Sequence, residues 1–205
     1  MNNDIAIIDY GVGNLYSVEK AFDRLGAAAA VTSDPAAILG AARVVLPGVG
    51  AFGDCMRNLE EYGLVDVVRT VAAKGTPLLG ICVGLQILFA GSEEDPGVAG
   101  LGVFPGMVRR IVAPGLKIPH MGWNSLDIAG SSPLLAGLPA NPYVYFVHSY
   151  HAVPDDPALV TAWTVYGGRV TAAVGRGNIH AVQFHPEKSG DAGLKILANF
   201  KEIAL

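Results

Sequence analysis

The chain has 205 residues, 51% hydrophobic and 16% charged, with a net charge of −4, enough for one domain with a substantial core. No Lys/Arg cluster exceeds a pair such as Arg109-Arg110, which excludes a nucleic-acid footprint. The charged share is below the roughly 25% usual for soluble domains, so part of the surface is expected to be covered by a partner. The start, Met1-Asn2-Asn3-Asp4, lacks a basic secretory n-region, and the two cysteines, Cys55 and Cys82, are expected as free thiols in the cytoplasm. Gly75 to Ser92 is uncharged, but Pro77, Gln86 and four glycines interrupt it, and a buried strand turning into a helix explains it better than a membrane span.

In chain order, Asp4–Asp9 predicts a strand, and Gly11-Val12-Gly13-Asn14 turns into a helix over about 15–25. Ala28–Val31 is a second strand, and Ser33-Asp34-Pro35 opens a short helix with Pro in its first turn. Arg43–Leu46 is a third strand, followed by the loop Pro47 to Gly53, helices over 54–61 and 63–74, and a strand at Pro77–Ile81. Apolar strands alternating with helices predict an α/β fold with an open, largely parallel sheet covered on both faces. Beyond Gly97 the texture changes. Short β-branched or aromatic runs at 107–111, 143–147, 159–165, 169–174 and 179–183 read as antiparallel strands extending that sheet, before a last helix over 191–203. No repeat or linker divides the chain, so one domain over 1–205 is expected.

The sharpest local signal is Gly80-Ile81-Cys82-Val83-Gly84 between an apolar strand and an apolar helix. A nucleophile on a tight strand-to-helix turn needs small residues two before and two after it, where the backbone doubles back. The helix dipole there favours a negative sulfur, and the Val83 N–H points where an oxyanion would form. Cys55 has no such setting and reads as structural. A base is found in Gln183-Phe184-His185-Pro186-Glu187, directly after a strand, with Glu187 close enough to hold the imidazole of His185.

These two motifs, in this order, resemble the class I, or triad-type, glutamine amidotransferases. Gly80 to Gln86 is similar to that family's nucleophile motif, with Val83 and Leu85 as mild variants, and Gln183 to Glu187 matches its His/Glu motif. A closer likeness, to a branch whose glutaminase subunit works with a (β/α)8-barrel cyclase subunit, rests on five further stretches. They are Asp9 to Asn14, Pro47 to Gly50, Pro119 to Asn124, Tyr145 to Tyr150, and Lys188-Ser189.

The resemblance implies a triad of Cys82, His185 and Glu187 that hydrolyses L-glutamine. It implies an oxyanion hole from Val83 and the Val49–Gly50 backbone. Gln86, Glu94, Ser149 and Tyr150 would hold the substrate's α-amino and α-carboxylate groups. Asn14, Lys117, His120, Trp123 and Lys188 would lie on or near the face meeting the cyclase. Glycines in the Pro47–Gly53 loop leave the peptide before Gly50 free to flip an N–H toward or away from the oxyanion site. Neither a cofactor nor a metal is expected, since five scattered histidines and two distant cysteines offer no zinc-ligand spacing.

Two rival readings are weaker. Gly48 to Gly53 formally fits the dinucleotide G-x-G-x-x-G, but the next strand ends in Cys82 where that fingerprint wants an acid. A thiol hydrolase of another elbow-bearing fold would place its acid between the cysteine and the histidine, whereas Glu187 lies beyond His185.

Overall fold

The computed structural model describes residues 4–203. Its first half alternates β1 (Ile5–Ile8), α1 (Leu15–Arg24), β2 (Ala29–Thr32), α2 (Pro35–Gly40), β3 (Arg43–Gly48), α3 (Phe52–Glu61), α4 (Val65–Lys74), β4 (Leu78–Cys82) and the single-turn α5 (Val83–Gln86). The second half holds β5 (Gly106–Arg110), β6 (His120–Ser125), β7 (Asp127–Ile128), β8 (Tyr143–His148), β9 (Tyr150–Pro154), β10 (Val160–Val165), β11 (Arg169–Arg176), β12 (Ile179–Val182) and α6 (Gly190–Glu202).

Local signals account for most of these boundaries. The carboxylate of Asp34 accepts from the Ala36 N–H and Pro35 opens α2, satisfying one of the otherwise orphaned donors of the first turn. Gly75 closes α4 in the left-handed region at φ 85°, where a side chain would be strained. α3 starts at Phe52, two residues before the expected Asp54, because Glu94 reaches across from far along the chain and accepts from the Phe52 N–H at 2.8 Å.

The main sheet runs β2-β1-β3-β4-β12-β11-β10-β7. Pairing is parallel from β2 through β12 and antiparallel from β12 through β7. β4 is buried along its whole length, as expected of a strand covered on both faces. The register sets Cys82 beside Gly48 and Ile81 beside Val182. The ends of β3, β4 and β12 therefore share one edge, the place where open α/β sheets put their ligand sites.

Two expected strands do not extend this sheet. β5 pairs with β9, and β8 with β6, in two separate antiparallel ribbons. Their alternating burial explains the departure: β8 buries Val144 and Phe146 but exposes Tyr143, so it suits a ribbon laid on the core and not an interior strand. β6 and β9 lack a strong strand signal of their own. Gly122 and Asn124 are poor strand formers, and β6 exists by pairing with β8. Among the described residues no helix is long and apolar enough to cross a membrane.

Candidate active site

Cys82 ends β4 at φ 56° and ψ −112°, one of two non-glycine positions in the left-handed half of the map among the described residues. Three glycines make that turn possible. A Cβ on Gly84 would overlap the carbonyl of Leu46, one on Gly80 would press the Gly84 carbonyl oxygen at 2.9 Å, and one on Gly48 would stand 2.6 Å from the Gly84 nitrogen. The elbow thus wedges against β3 as well as folding on itself.

β12 leads straight to His185, only 2% exposed. Its backbone N–H donates to the Tyr145 carbonyl, and Ser189 locks the turn by donating its hydroxyl to the His185 carbonyl at 2.6 Å. The ring Nδ1 lies 2.8 Å from Oε1 of Glu187, whose side chain is 1% exposed, leaving the other ring nitrogen for Cys82. Burial alone would lower the pKa of this imidazole. Hydrogen bonds to Cys82 and Glu187, and their charges, outweigh it and raise the pKa to about 9. Asn14 donates its amide to the same Glu187 oxygen at 3.5 Å.

These groups open on one cavity of about 310 Å³, within the usual size for small-molecule sites. It is lined by Val49, Gly50, Cys82, Val83, Gln86, Glu94, Ser149, Tyr150 and His185, together with Pro119, Val147 and His148. The structure brings together every expected oxyanion and substrate residue, with Glu187 behind His185. Gly50 sits at φ 92°, and the Val49 carbonyl accepts from the buried thiol of Cys55 at 3.4 Å, so that peptide has a definite orientation. Burial pushes the Cys55 thiol up to about 11, in keeping with an inert structural cysteine. One carboxylate oxygen of Glu94 is already spent on α3, which leaves the other for the cavity.

The expected partner face divides. Trp123 is 55% exposed, edge-on to Tyr145, and it stands near Gly190, while Lys117 and Lys188 are exposed. His120 is a correction: at 3% exposure, stacked between Phe146 and Tyr166, it cannot offer its ring to another subunit. It supports β6 from inside instead, because the face of β6 that carries it packs on the core.

Sequence reasoning assigned no role to the amide of Gln183, 0% exposed and 3.9 Å from the Cys82 sulfur, although it lies in a quoted motif. His148, within the Tyr145–Tyr150 stretch, also lines the cavity. Among the described residues no group of three or more His, Cys, Asp or Glu could hold a metal ion.

The chain is similar to known proteins over nearly its whole length. The family model described as Glutamine amidotransferase class-I matches residues 6–203. The Imidazole glycerol phosphate synthase subunit HisH of Moorella thermoacetica is 54% identical, covering 97% of this chain and 94% of the relative. The protein of the same name from Aromatoleum aromaticum is 55% identical, covering 97% of each. Among solved structures, a crystal structure of glutamine amidotransferase superposes with TM-score 0.76 at 22% identity over 98% of this chain and 100% of that one. PurLQS from Thermotoga maritima gives 0.75 at 20% identity over 98% of each chain. At such identities these two show the shared fold alone. With the strained cysteine, the backed histidine and this match in hand, the chain belongs to the class I glutamine amidotransferase family.

Proposed function

We propose that this chain is the glutaminase subunit of an imidazole glycerol phosphate synthase, a single domain that supplies ammonia for histidine biosynthesis in the cytoplasm. The observation that carries the chemistry is the strained, buried Cys82 sharing a cavity with His185, which Glu187 holds from behind at 2.8 Å. The relatives' printed name, at 54% and 55% identity, carries the pathway.

In this reading Cys82 attacks the carboxamide carbon of L-glutamine as a thiolate, forming a C–S bond. The negative charge that gathers on oxygen is met by the Val83 N–H and the backbone at Val49 and Gly50. His185, held as imidazolium by its raised pKa, gives its proton to the departing ammonia. The neutral imidazole then takes a proton from water, which attacks the thioester. Cys82 leaves as thiolate and glutamate is released. Gln86, Glu94, Ser149 and Tyr150 line the cavity where the α-amino and α-carboxylate groups would sit.

Asn14, Lys117, Trp123 and Lys188 would form the face toward a (β/α)8-barrel cyclase, which receives the ammonia. The test is glutamate release by the purified chain alone, with the cyclase, and with the cyclase plus its nucleotide substrate. An almost inactive isolated chain, stimulated about 10²–10³-fold by the loaded partner, is the result expected if one oxyanion donor is completed only on assembly. Equal rates in all three mixtures would favour a free-standing glutaminase.

A further inference from the structure

We propose that Gln183 is a further catalytic residue of this site, its carboxamide N–H donating to the sulfur of Cys82 wherever that sulfur carries negative charge. The proposal rests on Cys82 being the nucleophile. The contact is Nε2 of Gln183 to Sγ of Cys82 at 3.9 Å, from a fully buried amide to a sulfur at the cavity floor. Contacts in a substrate-free site are often long and tighten as charge develops.

The hydrogen-bond inventory decides which end of the Gln183 amide faces the sulfur. Nε2 of Gln86 lies 3.1 Å from the Tyr150 carbonyl oxygen and 3.0 Å from Oε1 of Gln183. The Tyr150 carbonyl can only accept, so Gln86 must turn its NH2 toward it. The other hydrogen of that NH2 then meets Gln183, which must answer with its oxygen, and the NH2 of Gln183 is left for Cys82. Turning the Gln183 amide over would set two NH2 groups against each other and an oxygen against a thiolate.

Donors and acceptors stay paired further outward. Nδ1 of His148 also reaches the Tyr150 carbonyl, at 2.8 Å, so it carries the proton and Nε2 accepts from Nδ1 of His120 at 3.1 Å. Nε2 of His120 then accepts from Asn124 at 3.3 Å, whose amide also donates to the Val165 carbonyl. The Tyr150 carbonyl, reached by both His148 and Gln86, joins this set of tautomers to the amide of Gln183.

Chemically, the N–H stabilises the attacking thiolate and stabilises it again when the thioester breaks and sulfur leaves with the electron pair. In the thioester itself the sulfur is neutral and the bond matters little. The charged and titratable groups around Cys82 are His185 with Glu187 behind it, Glu94 and His148 across the cavity, and Tyr10 and Cys55 beneath. Burial holds the Tyr10 phenol well above its ordinary range, pushes Cys55 up to about 11 and pushes His148 down to about 3. All three stay neutral near pH 7.

The experiment is carbamidomethylation of Cys82 by iodoacetamide between pH 5 and pH 10, read by peptide mass, on the full chain in a Cys55→Ala background. Gln183→Met keeps the length and removes the N–H. The midpoint of the reactivity profile should move up by about one unit, a tenfold loss of thiolate at fixed pH. Gln183→Glu keeps an acceptor for Gln86 but faces the sulfur with a carboxylate oxygen, and should move it further. A residue that only packs would leave the midpoint of the uncharged Met variant in place, and an unchanged midpoint there overturns the proposal. Should the Met variant fail to fold, Gln183→Leu, which also removes the N–H without adding a charge, gives the same reading. Glutamine plays no part in this assay. Turnover by Cys82→Ala would sink the glutaminase reading, whereas an unmoved profile would sink only the role of Gln183.

Discussion

Cys82 ends a strand whose every residue is buried, between two parallel neighbours, while Trp123 and Met121 stand 55% and 63% exposed on a two-stranded ribbon laid over the same cavity. The first region is rigid because strand pairing on both sides and glycine-close packing leave the elbow one geometry. The second has a single partner strand and an open face. Both contribute to one site: the reacting atoms come from the sheet edge, and the wall at Pro119, Val147 and His148 comes from β8 and the segment entering β6. The contrast teaches that chemistry here is anchored where backbone motion is most costly. The ribbon, by contrast, lies where movement is cheaper.

The harshest way to probe the rigid side is Cys82→Ala. Glutamate release should fall by about 10⁴-fold or more with the melting temperature nearly unchanged, since the nucleophile goes but the packing stays. Ammonia-dependent synthesis by the complex should survive. Near-normal glutamine turnover would refute the triad. Glu187→Gln should cost about 10²–10⁴ in kcat with little change in KM, because the carboxylate orients and charges His185 without touching substrate. If His185→Ala proved milder, the roles would be reversed.

Gly84→Ala tests whether the elbow is locked by packing. Its Cβ would overlap the Leu46 carbonyl, so urea unfolding should show a loss of about 2–4 kcal/mol. A neutral result would mean the elbow is looser than its contacts imply.

The ribbon side has a different signature, in pH. Desolvation by burial lowers His120 to about 4 and His148 to about 3. Both are neutral in the folded chain, while the unfolded chain binds protons below about 6.5. Their contribution is therefore present above that pH and lost as pH falls toward 4, on the order of a few kcal/mol. His185 runs the other way. With its pKa raised to about 9, the stability it adds is complete below about 6.5 and disappears as pH rises through about 9. Denaturation midpoints measured from pH 4 to pH 10 should trace both flanks. Replacing His120 and His148 together by Gln should lessen only the acid one, to which His151 and His180, also lowered by burial, contribute.

The smallest expected effect is Trp123→Ala. As an exposed side chain it should change the stability of the isolated chain by about 0.5 kcal/mol or less, yet reduce stimulation of turnover by the cyclase. A large stability loss with unchanged stimulation would move Trp123 from the partner face into the fold.

The amino-acid sequence was enough for the parts of this protein whose physics is local. The elbow was readable because Gly80, Cys82 and Gly84 lie within one turn of chain, and the His185–Glu187 pair because two residues separate base and orienter. Alternating apolar strands and helices likewise specified a parallel sheet. What only the tertiary structure decided depends on residues far apart in the chain. Gln86 meets Gln183, and His148 meets His120, through pairings that local periodicity does not encode. His120, expected on or near the partner face, is enclosed because β6 folds onto β8 and Phe146 and Tyr166 close around it. β5 and β8, predicted as extensions of the sheet, separated from it because strand propensity specifies an extended backbone but not its neighbour. Burial on one face or two chooses that neighbour, and burial is a property of the whole chain.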